Sequence, residues 1–178
     1  MSGTILLLIG ESGSGKTTIA ETLADKFGLK VLRSYTTRLK RHENERGHIF
    51  VSEREFRNLK PKDIIAYTKI GEYEYCATKQ QIDDSDIYVI DLKGMRYLKN
   101  NYKGGKKTKT VYLKVSHDLR KQRMMGRGDR EKDIIFRLKN DIITFNGAEE
   151  LADFIIENDK NYEETAEKIW RYYMYGDM

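Results

Sequence analysis

Apolar positions in this chain fall into two alternating patterns. Short blocks rich in apolar residues, Ile5–Ile9, Ile87–Ile90, Thr110–Val115 and Phe154–Ile156, read as strands buried on both faces, with Lys30–Arg33 as a fifth candidate. Between them, apolar residues recur every three or four positions. Ile19, Ala20, Leu23, Ala24 and Phe27 mark a helix over Thr17–Phe27, and another is expected over Lys93–Leu98. Strands alternating with helices predict an α/β fold, with a parallel β-sheet flanked by helices. Two stretches break the rhythm. Residues 34–84 hold a predicted helix at Glu53–Leu59 and two extended pieces, Ile64–Lys69 and Tyr73–Ala77, around Gly71. Residues 119–145 read as almost entirely helical and rich in arginine. The expectation is one domain of residues 1–178: a core of 1–33, 85–118 and 146–178, an insertion at 34–84 and a helical excursion at 119–145.

Composition fits an ordinary enzyme. A chain of 178 residues suffices for one domain that buries about 70% of its unfolded surface. No apolar run approaches membrane-spanning length, and the first apolar block lacks the basic flank of a signal peptide, so neither anchor nor membrane partner is expected. One cysteine, Cys76, excludes an internal disulfide and fits a cytoplasmic location. The net charge of +5 raises the question of nucleic acid, but 28 acidic residues are mixed among 33 basic ones. Small phosphorylated ligands explain the arginines more economically. The run Lys103–Lys109 reads as a solvated loop, and His42, His48 and His117 lack metal-ligand spacing. No heptad or exposed apolar stripe stands out, so the oligomeric state is not read.

The most specific chemistry lies between the first strand and the first helix. Gly10-Glu11-Ser12-Gly13-Ser14-Gly15-Lys16-Thr17-Thr18 fits G-x-x-x-x-G-K-[ST] in full, in the strand–loop–helix setting that a phosphate-binding loop needs. Glycines let backbone N–H groups wrap a polyphosphate, and the helix adds its positive end. The loop, Glu11 to Thr18, is thus a candidate ATP site. Lys16 would reach the β- and γ-phosphates, and Thr17 would hold Mg²⁺.

Two arginine groups extend the picture. Ser34-Tyr35-Thr36-Thr37-Arg38-Leu39-Lys40-Arg41 follows the second strand candidate, where hydroxyls with Arg38 and Arg41 suit a second phosphate. Arg123, Arg127 and Arg137, in the helical excursion, suit the charge that develops in phosphoryl transfer, whereas Arg120, Lys121 and Lys139 read as exposed helix residues. Asp91 ends an apolar strand; Mg²⁺ or its waters, an acceptor nucleotide, and the cap of the next helix are its three possible partners.

Gly10–Thr18, Ser34-x-Thr36-Thr37-Arg38-x-x-Arg41, the Tyr75 region, Asp91-x-x-Gly94, Arg123-x-x-x-Arg127-Gly128, Arg137-Leu138 and Phe154-x-x-x-Asn158-Asp159 together make the chain resemble the guanylate kinase family over nearly its whole length. The resemblance implies a P-loop core, a nucleotide-monophosphate-binding insertion and a lid, and the Mg²⁺-dependent reaction ATP + GMP → ADP + GDP. It implies that Ser34 helps read the base and that Arg38, Arg41 and Tyr75 hold the acceptor phosphate. Lys16, Arg127 and Arg137 would steady the transferred group, with Arg123 near the ATP phosphates and Asn158 beside the adenine.

The chain also departs from that family. Asn44 stands where a glutamate is usual, with Glu45 next to it, and Gly47-His48-Ile49-Phe50 shortens a segment that carries a phosphate-binding tyrosine. Tyr73-Glu74-Tyr75-Cys76-Ala77 lacks a glycine and a hydroxyl residue, and Ile65-Ala66-Tyr67 offers no guanine-reading glutamate. Glu72 or Glu74 would have to substitute. A ribose 1,5-bisphosphate phosphokinase, which needs no base reader, is a second resemblance, carried by Glu43–Phe56 and by Val115-Ser116 to Arg127-Gly128. A non-catalytic binding module is a third reading, and the retained Lys16, Thr17 and lid arginines speak against it.

Overall fold

The computed structural model describes residues 3–40, 43, 45–159 and 161–176. Two four-stranded sheets organise the chain. The core sheet is wholly parallel in the order β6-β1-β7-β8, from β1 (Thr4–Ile9), β6 (Ile87–Val89), β7 (Lys107–Lys114) and β8 (Phe154–Glu157). Ile5 through Ile9 have no exposed surface, because both faces of β1 are covered. The two-residue period of a strand sorts them: Ile5, Leu7 and Ile9 join one apolar cluster, with Leu92, Met95 and Leu98 of α4 (Leu92–Asn101). Leu6 and Leu8 join the other, with Ile19 and Leu23 of α1 (Lys16–Phe27) and Ala166 and Ile169 of α7 (Tyr162–Tyr175). The fold is the α/β arrangement that the apolar blocks predict.

The second sheet lies in residues 34–78. Its order is β3-β2-β5-β4, from β2 (Ser34–Thr36), β3 (His48–Phe50), β4 (Ile64–Ile70) and β5 (Tyr73–Thr78). Two short helices, α2 (Glu53–Arg57) and α3 (Lys79–Asp83), each start on a reciprocal cap, Ser52 with Glu55 and Thr78 with Gln81. The arginine-rich stretch forms α5 (His117–Gly126) and α6 (Glu131–Thr144).

Three expectations need correction. Lys30–Arg33 is not a strand; only Val31 bridges to Ile87, at the sheet edge, with Lys30 and Arg33 exposed. Lys103–Lys109 is not simply a solvated loop. The strand β7 starts at Lys107, and the Lys109 ammonium donates to the carbonyls of Tyr172 and Tyr173 at 2.9 and 3.3 Å. Those belong to the last turn of α7, the negative end of the helix dipole, where a cation is favoured. An exposed apolar stripe does exist: Ile135, Phe136, Ile142 and Ile143 lie along the outer side of α6.

Candidate active site

The phosphate loop is built as its sequence requires. Gly13 and Gly15 take φ values of +80° and +89°, in the left-handed region that side chains avoid. They also sit where no side chain fits. A Cβ on Gly13 would lie 2.7 Å from the Arg120 carbonyl oxygen, and one on Gly15 would lie 2.7 Å from Asn158 Nδ2. No side chain caps α1 and its first turn holds no acidic residue, so its N-terminal N–H groups face the loop without a competing anion. Lys16 folds back across the loop, its ammonium 2.7 Å from the Gly10 carbonyl and 3.0 Å from that of Glu11. Burial lowers its pKa to about 8, against Asp141, which raises it, and with Arg127, which lowers it. Arg127 of the helical excursion is therefore close enough to act on the loop lysine.

Charged side chains brace the loop from behind. Arg120 is 3% exposed, which overturns its reading as a surface residue of α5. Its guanidinium bonds Glu11 at 3.0 Å and Asp141 at 3.1 Å. Asp141 in turn accepts from the Ser12 N–H at 2.8 Å and from its hydroxyl at 3.4 Å. On the other side, Asn158 donates from Nδ2 to the Ser14 carbonyl at 2.8 Å and is fully buried. The side chain thereby holds the loop. Arg123 reaches the Asn158 carbonyl at 2.7 Å and stacks its guanidinium over Tyr162 at 5.1 Å, leaving NH1 buried with no hydrogen-bond partner. Thr17 and Thr18 are exposed on the first turn of α1.

Arg127 and Arg137 converge on one carboxylate. Asp129 Oδ2 accepts from Arg127 Nε and NH2 at 3.0 and 2.6 Å, and from Arg137 NH1 at 2.9 Å. The glycine turn after α5 brings Asp129 between two arginines ten positions apart in sequence.

The second sheet supplies a distinct face. Cross-strand partners share a face, so the pairs Ser34–His48, Thr36–Phe50, Thr36–Tyr75, Tyr75–Thr68 and Ala66–Ala77 place these side chains together. Ser34 Oγ lies 2.9 Å from His48 Nδ1, and the His48 ring meets that of Tyr75 at 5.6 Å. Ser34 also touches the buried Tyr88 phenol, whose pKa burial pushes up. Arg38 sits at the end of β2 over the Phe50 ring at 5.3 Å and pairs with Glu45 at 2.7 Å, with Tyr75 beside it. His48 is the member that sequence reasoning missed. Its signal is the alternation His48–Phe50, in step with Ser34–Thr36. Arg41 lies outside the described residues.

Among the described residues of the Ser34–Tyr75 face, none is a carboxylate. Glu74 pairs with Lys69, on the opposite face from Tyr75, and accepts from Tyr67 at 2.7 Å. Glu72 is exposed at the turn before β5. Neither reaches the face of Ser34 and Tyr75. Thr68 Oγ1 is buried there with no hydrogen-bond partner. Asp91 caps α4, its Oδ1 accepting from Lys93 and Gly94 N–H at 2.9 and 3.0 Å.

The geometry thus joins a glycine-rich loop crossed by Lys16, a set of arginines and a second face that carries Ser34, Arg38 and Tyr75. Comparison with known proteins agrees with it. The family model described as Guanylate kinase matches residues 2–174. A guanylate kinase of Fusobacterium nucleatum is 25% identical over 151 residues, covering 79% of this chain and 80% of the relative. A guanylate kinase of Anaplasma phagocytophilum is 28% identical over 178 residues, covering 94% and 84%. An adenylate kinase of Nautilia profundicola is also 28% identical, over 176 residues, covering 93% and 91%. The crystal structure of the Anaplasma phagocytophilum guanylate kinase superposes with a TM-score of 0.72 at 23% identity, over 97% of this chain and 85% of that one.

Proposed function

Because the chain belongs to the guanylate kinase family, we propose that it transfers the γ-phosphoryl group of ATP to the phosphate of GMP or dGMP, giving ADP and GDP or dGDP. The observation that supports the donor half most directly is the complete phosphate loop, with an uncapped α1 and Lys16 folded across it. In this reading, loop N–H groups and Lys16 hold the β- and γ-phosphates. Arg38 and Tyr75 hold the acceptor phosphate, and Ser34 lies toward its base. One acceptor phosphate oxygen attacks the γ-phosphorus, and the bond to the β,γ-bridging oxygen breaks as ADP leaves. The dianionic phosphate is itself the nucleophile, so no protein base is required. Arg127 and Arg137 leave Asp129 for the transferred group and offset the charge spread over its oxygens, and Arg123 NH1 is a further donor. The exposed Thr17 hydroxyl beside Lys16 suits Mg²⁺, which takes few protein ligands and completes its shell with phosphate and water. When bound, Mg²⁺ would neutralise phosphate charge.

One observation favours a second reading. Guanine presents N–H donors that a carboxylate accepts, and the described residues on the Ser34–Tyr75 face include none; Ala66 and Ala77 stand there instead. A phosphorylated sugar such as ribose 1,5-bisphosphate needs no such reader. The test is ADP release from Mg-ATP with GMP, dGMP, AMP, UMP, TMP and ribose 1,5-bisphosphate offered separately. GMP and dGMP should give the highest kcat/KM. If they are no better than the other nucleotides, the guanylate assignment fails; if ribose 1,5-bisphosphate leads, the second reading replaces it.

A further inference from the structure

The phosphate loop is held by more than its own glycines. Buried charge is costly unless it is closely paired, yet Arg120 and Asp141, 3% and 5% exposed, occupy the apolar stripes of their helices. The buried residues of α6 are Ile134, Leu138 and Asp141, at helical spacing, and those of α5 are Arg120 and Met124. Both charges project into the space between these helices and the loop. There they meet Glu11 and Ser12, the first two residues after Gly10. Glu11 is tied further by the Tyr112 hydroxyl at 3.3 Å. The Arg120 backbone simultaneously fills the space beside Gly13.

We propose that Arg120 and Asp141 are positioning residues of the donor site: through the Glu11 carboxylate and the Ser12 N–H they lock the first half of the phosphate loop to α5 and α6, so that the loop is shaped before ATP arrives. The Ser12 N–H is committed to Asp141, which sets the backbone direction into Gly13 and leaves phosphate binding to the N–H groups that follow. The same lock fixes α6 against the loop, and Arg137 lies one turn before Asp141 on that helix. The register between Arg137 and Lys16 is therefore set by a contact that touches neither phosphate. Freezing the loop in its bound shape removes an ordering cost from ATP binding.

The inference rests on the ATP-binding reading, and the experiment separates the two. Replacing a buried ion pair by apolar side chains is often neutral for stability. The double variant Arg120→Leu/Asp141→Ala removes the lock while keeping the helices packed. ATP Kd is measured by titration calorimetry for the wild type and the double variant, with the unfolding midpoint as control and the acceptor KM alongside. The expected result is a midpoint near that of the wild type, an ATP Kd raised at least fivefold and an unchanged acceptor KM. A folded double variant that binds ATP within twofold of the wild type overturns the proposal. Should the double variant not fold, Asp141→Asn decides: it still accepts from the Ser12 N–H but loses the charge that holds Arg120. There a Kd raised at least threefold supports the lock, and an unchanged one overturns it. A wild type that binds no ATP instead overturns the donor reading, and the inference with it.

Discussion

Arg38 and Glu45 meet as a fork against a carboxylate, with NH2 2.7 Å from Oε1 and NH1 3.2 Å from Oε2. Both side chains are nearly buried, so the guanidinium is held in one orientation, with its Nε buried and without a hydrogen-bond partner. Lysine cannot reproduce that geometry. Arg38→Lys should raise the acceptor KM about tenfold or more, a loss of about 1.4 kcal/mol per tenfold, with the ATP KM unchanged. Initial rates at saturating ATP measure it, and an unchanged acceptor KM and turnover would remove Arg38 from the site.

Lys16 gives the donor site a pH dependence. Burial lowers its pKa to about 8 from an ordinary 10.5. Between these values the unfolded chain holds more protons than the folded one, so this group makes the nucleotide-free protein more stable as pH rises through that window. ATP favours the charged ammonium. Its Kd should therefore weaken above about pH 8, by up to tenfold per unit when one proton is taken up on binding. Calorimetry in buffers of different ionisation heat, from pH 7 to 9.5, reads both the Kd and the proton. A flat profile would mean that Lys16 is charged throughout.

At Gly13, loop shape and helix packing meet in one atom. Gly13→Ala demands a left-handed backbone from an L-residue and places its methyl 2.7 Å from the Arg120 carbonyl. A cost of about 1–3 kcal/mol for the strained backbone alone should lower the melting temperature by several degrees. ATP Kd should rise at least tenfold. A variant with wild-type melting and ATP affinity would show that the loop tolerates a side chain there.

Cys76 is the chain's one thiol and is fully buried on β5. Burial pushes its pKa to about 12, with Glu74 adding to the effect. The thiolate is the reactive form, so the folded protein should resist a disulfide reagent at pH 8 and release one thiol equivalent only on unfolding in guanidinium. Fast labelling of the native protein would refute the burial.

What was legible in the sequence was local. Gly10–Thr18 and the apolar blocks around it carry their structure in consecutive residues, and Tyr73–Ala77 reads as extended from its own side chains. Arg120 was misread because an arginine in a polar helix is ordinarily solvated. Its partners, Glu11 and Asp141, stand far away in sequence, and only the helical spacing Ile134, Leu138, Asp141 marks a carboxylate on an inward stripe. The bond of Asn158 to Ser14 is hidden for the same reason: nothing near it in sequence announces it. Lys30–Arg33 pairs with the sheet edge only through Val31 and Ile87, and how far such a pairing extends is not revealed by composition.

The bond from Asn158 to Ser14 spans 144 positions, and that from Ser12 to Asp141 spans 129. Contacts of such separation form after local structure, since a long loop must first be closed. During synthesis the ribosome releases Gly10–Thr18 well before Asn158. Until Asn158 emerges, the nascent chain carries its most recognisable motif without the parts that shape it. A chain cut short before β8 would display the motif without the bond from Asn158 that holds Ser14.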